Sequence, residues 1–351
     1  MLNKLFPFFV IIIVASAIYF IDDFPENSPL LSENIYQPFE KSIQDALHLI
    51  IYQQQKTNLL IFSNIFVLLV SSFIWFIYSQ EKKAKSLVIQ KKLEVEIKNK
   101  EMVDSINYAK VIQDAMLPLL SRYEDFIKEG FIFYRPKDIV SGDFYWFSKQ
   151  NNDIYIAAAD CTGHGVPGAF MTMLGMNILE QIIDTLINPS PAEILSELNK
   201  RIQNALKQNL ATSEVRDGMD IAICKLNNTT MKLEYAGAYR PLILFSKGEL
   251  IEIKADRTAI GGNQQNINLT FENHLFDLHK GDAFYIFSDG FPDQFGGPQQ
   301  KKFGNKRLRE LLTKTYTLSE KEQLPIISNE YEDWKKEEEQ IDDVLLIGIQ
   351  V

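Results

Sequence analysis

Two hydrophobic patterns divide the chain. Up to about residue 116 apolar residues come in long blocks, and beyond it they come in short runs separated by turn residues. Leu5 to Ile21 is apolar and uncharged, and Leu59 to Tyr78 is a second uncharged block. A helix of about twenty residues spans a hydrocarbon core of ~30 Å, so each block predicts a membrane crossing, the first slightly tilted or thinned to fit. Ala15-Ser16-Ala17 resembles a signal-peptidase site, but the apolar run continues past it to Ile21, which favours an uncleaved anchor. Between the blocks, residues 22–58 carry six acidic residues against Lys41 and Lys56. Lys82, Lys83, Lys85, Lys91 and Lys92 follow the second block and Lys4 precedes the first. Positive charge marks the cytoplasmic side, so both termini are expected inside and the acidic segment outside, as a spacer or a small sensor.

Residues 79–116 lack Gly and Pro and are rich in Lys, Glu, Ile and Val. Val88, Val95, Met102, Ala109 and Met116 recur every seven residues, the period of a left-handed coiled coil, and predict a homodimer through this helix. The companion seam is poor, with Lys91, Lys98 and Ser105 where apolar residues are wanted and only Ile112 fitting. The alternative is a solvated linker helix. Pro118 ends it in either case. The expected layout is a transmembrane helix at 1–21, an extracytoplasmic segment at 22–58, a second transmembrane helix at 59–78, a helical linker at 79–116 and a cytoplasmic globular domain at 117–351.

In the globular part, Phe131–Pro136, Phe144–Phe147 and Ile154–Ala159 read as strands. A helix begins near Ala169 and runs through Ile187, and Pro191 starts another to about Leu210. MDIAICKL turns at Asn227-Asn228 into MKLEYAGA, and PLILF turns at Lys247-Gly248 into LIEIKA. HLFDL leads through Lys280-Gly281 into AFYIFSDG. All three read as hairpins and imply antiparallel pairing. Helical patterns at 306–314 and 320–338 precede a last strand, VLLIGIQV. Strands and helices in blocks predict an α+β fold, two antiparallel sheets flanked by helix pairs.

Composition narrows the chemistry. A net charge of −10 argues against nucleic-acid binding. Two cysteines, Cys161 and Cys224, and four scattered histidines make neither a disulfide framework nor a soft metal site. A metal here would be held by oxygen, which favours Mg²⁺ or Mn²⁺. Gly163 to Gly168 fits the dinucleotide fingerprint G-x-G-x-x-G between a strand and a helix. Asp160-Cys161-Thr162 intervenes, however, and hairpins rather than βαβ units follow, so that reading is set aside.

The informative feature is a set of aspartates at strand ends: Asp143, Asp160, Asp289 and Asp342-Asp343, with Asp217 and Asp220 as further candidates. Each alone is ordinary turn chemistry. Together they suit a pair of hard divalent ions ~3.5–4 Å apart that share one carboxylate, and Asp160, ahead of a glycine turn, suits the shared place.

The motifs VSGDFYW, AADCTGHGVPGAFMT, GMDIAI, YAGAYRPL, FSDGFPDQF and IDDVLL, in this order over 117–351, resemble the SpoIIE-type branch of the metal-dependent protein phosphatases (PPM, the protein phosphatase 2C class). The resemblance implies a β-sandwich between helical layers, two Mn²⁺ or Mg²⁺ ions and hydrolysis of phosphoserine or phosphothreonine in a protein. It implies Asp160 as bridging ligand, the Cys161 backbone carbonyl on the second ion, and Asp289 and Asp342 on the first. Asp143 would hold bound water or ligate directly, Asp220 would support a third ion, and Asp343 would be a neighbour. His164 is separated from Asp160 by three residues where larger relatives place a histidine directly after Asp-Gly, so a turn-stabilising role competes with proton donation. Arg135 stands near the family's phosphate-binding arginine but too far from Asp143 in sequence to inherit that role simply. The implied partner is a phosphorylated regulatory protein, such as an anti-sigma factor antagonist. The rival is a catalytically inactive, phosphatase-like membrane adaptor. A sensor kinase or a diguanylate cyclase would need an ATP-lid pattern or a GGDEF-like turn.

Overall fold

The computed structural model describes residues 33–119, 129–210, 212–262 and 268–351. The first apolar block lies outside them. The described chain divides into two compact units, one up to Ile97 and one from Lys98 to Val351.

The first unit is helical. Helix α1, Glu33–Met116, is unbroken, so residues 33–58 share a helix with the second apolar block. Its Leu59–Tyr78 side chains are exposed on every face, Leu59 and Trp75 each at 71%. The helix Gly165–Thr185 is also long and apolar enough to cross a membrane, but 56% of its most apolar stretch is buried inside the protein, and it is a core helix.

The second unit holds the end of α1 and the globular fold. Strands β1 (Glu129–Arg135), β2 (Asp143–Gln150) and β3 (Asp153–Cys161) come first. Helices α2 (Gly165–Thr185) and α3 (Pro191–Ala205) follow. Next come β4 (Gly218–Asn227), β5 (Lys232–Ala238), β6 (Leu242–Ser246), β7 (Glu249–Ile253), β8 (Ile260–Gly261), β9 (His274–Asp277) and β10 (Ala283–Phe287). The chain closes with α4 (Gly290–Asp293), β11 (Phe295–Gly296), β12 (Lys301–Lys302), α5 (Gly304–Thr315), α6 (Glu320–Lys335) and β13 (Val344–Gln350).

One antiparallel sheet has the order β1-β13-β10-β6-β7, the other β2-β3-β4-β5-β9 with β8 on β4. Three apolar layers hold them. Side chains of both sheets meet in the middle, α2 and α3 cover the second sheet, and α5 and α6 cover the first. This is the expected α+β sandwich. It explains why β3 reads as an unbroken apolar run: Tyr155, Ala157 and Ala159 face the helices while Ile154, Ile156 and Ala158 face the other sheet. A strand buried on both faces has no polar side to alternate with.

Two hairpins fall where the turns predicted them, β4–β5 and β6–β7. At the second, Lys247 and Gly248 both take positive φ (53° and 83°), the requirement of a tight two-residue turn. The third is corrected. Strand β9 pairs with β5, whereas β10 pairs with β13 and β6, so Lys280-Gly281 carries the chain from one sheet to the other. Burial separates the two strands: every residue of β10 is buried, as a central strand demands, while β9 is half exposed at an edge. Helix α2 also starts four residues earlier than the apolar pattern suggests, and α3 stops at Ala205. Its start is as read: Pro191 is the first residue, and Ser190 and Glu193 cap it reciprocally.

Candidate active site

Three neighbouring strands of the second sheet each present an aspartate at the same level. Asp143 of β2 is paired with Asp160 of β3, and Asp160 with Asp220 of β4. Cross-strand partners have Cβ atoms ~4.5–5.5 Å apart, and like charges there repel unless a cation intervenes. The first sheet brings two more. Asp289 follows β10 and Asp342 precedes β13, its antiparallel neighbour, with the Ser288 N–H donating to the Leu345 carbonyl at 2.9 Å. Asp160, Asp220, Asp289 and Asp342 line one cavity of about 260 Å³, together with Cys161, Gly163, His164 and Arg240.

Among the described residues, the cationic side chain lining that cavity is Arg240. Its Nη2 donates to Asp160 Oδ2 at 2.8 Å, Asp289 Oδ2 at 2.9 Å and Asp220 Oδ2 at 3.0 Å. Among the described residues no group of three His, Cys, Asp or Glu side chains is gathered tightly enough to cage an ion unaided. Asp143 is almost fully buried, and its Oδ2 has no hydrogen-bond partner.

The electrostatics follow from this crowding. Burial pushes the Asp160 carboxyl up to about 8, with Arg240 opposing and Asp289, Asp342 and Asp220 adding to the rise. Burial and then the Asp160 charge raise Asp143 well above the carboxylate range, while a hydrogen bond with Ser288 pulls the other way. Asp220 and Asp342 are raised too, by burial first. Burial would lower Arg240, but Asp160, Asp289 and Asp220 more than offset it and hold its pKa above the usual value. Buried carboxylates short of positive charge and one orphaned carboxylate oxygen are the donor chemistry that a hard divalent ion requires. The residues fit such a group.

The glycine turn shapes this chemistry through backbone approach. Thr162 N–H donates to the Gly218 carbonyl at 2.9 Å, and Gly218 N–H donates back to Thr162 Oγ1 at 3.0 Å, which locks the turn after β3 to the start of β4. A Cβ on Gly168 would lie 2.3 Å from the Gly163 carbonyl oxygen and 2.8 Å from Gly142 Cα. Three chain segments therefore touch through glycine. The Asp343 carboxylate accepts from Gly142 N–H and Lys137 N–H, each at 2.7 Å, and holds the loop before Asp143 in place.

His164 stands at the cavity rim, its Nδ1 2.6 Å from Asp138 Oδ2. Arg135 is elsewhere: its guanidinium pairs with Glu332 and Ser328 and lies over the Phe133 ring. The Asp217 carbonyl accepts from Gln208 and Gly262, and its side chain is not in the cavity wall. The Cys161 thiol is buried, which pushes its pKa up. Two residues escaped the sequence reading, Arg240 and Asp138. Arg240 lies within the motif YAGAYRPL, but a lone arginine after a strand has no periodic signature.

The sequence model of the family Stage II sporulation protein E (SpoIIE) matches residues 150–351. Phosphoserine phosphatase RsbU of Bacillus subtilis (strain 168) is 28% identical over 193 residues, 54% of this chain and 54% of that protein. The chain thus spans about half the length of that curated relative. The solved SiaA-PP2C domain of Pseudomonas aeruginosa is 32% identical with a TM-score of 0.64, covering 72% of this chain and 98% of that one. The PP2C phosphatase domain and regulatory fragment of SpoIIE from Bacillus subtilis shares the fold at 18% identity, TM-score 0.50, over 63% of this chain and 61% of that one. Sandwich and carboxylate cavity together define a PP2C-type serine/threonine phosphatase domain. The chain belongs to the SpoIIE family.

Proposed function

We propose that this protein is a membrane-anchored, metal-dependent phosphatase that removes phosphate from phosphoserine or phosphothreonine of a regulatory protein. The observation that carries the reading is the convergence of Asp143, Asp160, Asp220, Asp289 and Asp342 from two sheets onto one site with a single arginine. Asp160 would be shared between two ions of Mn²⁺ or Mg²⁺, with Asp289 and Asp342 on one and the Cys161 carbonyl on the other; Asp220 would serve a third. Such ions supply an acidified water and charge neutralisation for in-line displacement at phosphorus. The chain's own contribution is to fix the acceptors on rigid strand ends. It also keeps His164 at the cavity rim, its Nδ1 paired with Asp138.

Membrane attachment is supported by the exposed apolar helix at 59–78, about 30 Å long at 1.5 Å per residue. A dimer through the linker is supported by Val88, Val95 and Met102, exposed at 67%, 56% and 57% although apolar. The phosphoserine substrate class follows the name of its relative RsbU, a phosphoserine phosphatase.

The test uses the full chain in detergent. With Mn²⁺ or Mg²⁺ it should hydrolyse p-nitrophenyl phosphate and a phosphoserine peptide, and Asp160→Asn should lose that activity while keeping its thermal transition. An inert wild type that takes up ions would favour the adaptor reading.

A further inference from the structure

The backbone around Arg240 is built to aim it. Strand β5 ends at Ala238, and Tyr239 then takes φ 60°, a left-handed conformation costly for a bulky residue. Surrounding bonds hold it there. Tyr239 N–H donates to the Asp256 carbonyl at 2.9 Å, and Asp256 N–H donates to the Gly237 carbonyl at 3.0 Å. The Tyr235 hydroxyl donates to the Arg240 carbonyl at 2.6 Å. A Cβ on Gly237 would come within 2.1 Å of that hydroxyl and 2.5 Å of that carbonyl, so glycine is required. Strain of this kind persists only where the surroundings over-determine it.

The result is an unusual use of arginine. A guanidinium offers five donors in a fork suited to bidentate pairing. Here one nitrogen, Nη2, meets three carboxylates within 3.0 Å, while Nε is buried with no acceptor. Three carboxylate oxygens thus meet at one nitrogen, which sets the positive charge between aspartates that would otherwise repel one another.

We propose that Arg240 meters ion binding: its guanidinium occupies the place between Asp160, Asp220 and Asp289 that a divalent cation takes, so loading the site exchanges one cation for another. The inference rests on the metal-dependent reading above. Charge makes the exchange favourable yet costly. Three carboxylates share one guanidinium, so the site favours added positive charge, but each ion must first displace a guanidinium already held by all three. Arg240 is thus a positioning residue that sets the ion concentration at which the site fills.

Calorimetric titration of the chelator-treated full chain in detergent, with Mn²⁺ and with Mg²⁺, tests this, alongside thermal unfolding with and without ion. Arg240→Gln is expected to bind ions at least tenfold more tightly than wild type. Its transition should be lower in chelator and should rise further on adding Mn²⁺. Arg240→Lys keeps the charge on a shorter side chain and should fall between the two. Unchanged or weaker affinity in Arg240→Gln overturns the proposal. So does Arg240→Lys binding like wild type while Arg240→Gln binds tightly, since that pattern is repulsion through space without exchange. If Arg240→Gln does not fold, Arg240→Lys decides alone: tighter binding than wild type supports exchange, and equal or weaker binding refutes it. A wild type that binds neither ion would sink the metal-dependent reading itself.

Discussion

Replacing Gly168 with alanine isolates the packing on which the site is built. The new Cβ would stand 2.3 Å from the Gly163 carbonyl oxygen, where real Cβ contacts stay beyond 3.0 Å, so the backbone must give by at least 0.7 Å. The obstacles are main-chain atoms of Gly163 and Gly142, which cannot rotate away. One of these residues lies in the turn after Asp160 and the other precedes Asp143, so the shift reaches both aspartates. Overpacking of this kind costs ~1–3 kcal/mol, and ~2 kcal/mol lowers Tm by roughly 4–8 °C in a domain of this size. A displacement of about 1 Å at a reacting centre costs ~10²-fold in rate. Thermal unfolding by circular dichroism and p-nitrophenyl phosphate turnover measure the two effects. Gly281→Ala is the control. Gly281 has positive φ (90°), which the helical Gly168 does not, but nothing within 4 Å of its Cβ position, so it should lose about 1–2 kcal/mol of stability and no turnover. Wild-type turnover in Gly168→Ala, or identical behaviour of the two variants, would refute the reasoning.

Two further expectations concern stability. Gln113, at the end of α1, donates to the Ser141 carbonyl at 2.7 Å and accepts from Ser141 N–H at 3.0 Å. Gln113→Ala leaves that buried N–H without its acceptor and should cost ~1–3 kcal/mol in urea denaturation; an unchanged midpoint would show the contact to be idle. Asp282 accepts from Lys247 N–H, His279 N–H and Ser246 Oγ at 2.9–3.0 Å. Burial alone would raise its pKa, but these donors bring it below the ordinary 3.8. The unfolded chain therefore binds the proton more readily, so this stability is complete above the ordinary pKa and is lost as pH falls through the folded one. Asp282→Asn should flatten the dependence of unfolding free energy on pH below about 4. An unaltered slope would contradict the assignment.

Much of the architecture could be read from local chemistry. Turn residues such as Lys247-Gly248 mark where the chain changes direction, and the two-sided burial of β3 shows as an unbroken apolar run. The same local signal misled at Lys280-Gly281, because a turn residue specifies a change of direction and not the sheet that receives the next strand. That choice belongs to burial: β10 is enclosed on both faces and β9 is not.

The site divides the same way. The aspartates are visible in the sequence because each sits at or beside one end of an apolar strand, and a carboxylate there needs a reason. Their alignment across β2, β3 and β4 is a matter of strand register, and the meeting of Asp160 with Asp289 depends on how two sheets stack. Arg240 lay beyond sequence reasoning altogether. Its importance comes from three carboxylates drawn from residues up to 80 positions away, a convergence that only tertiary packing creates.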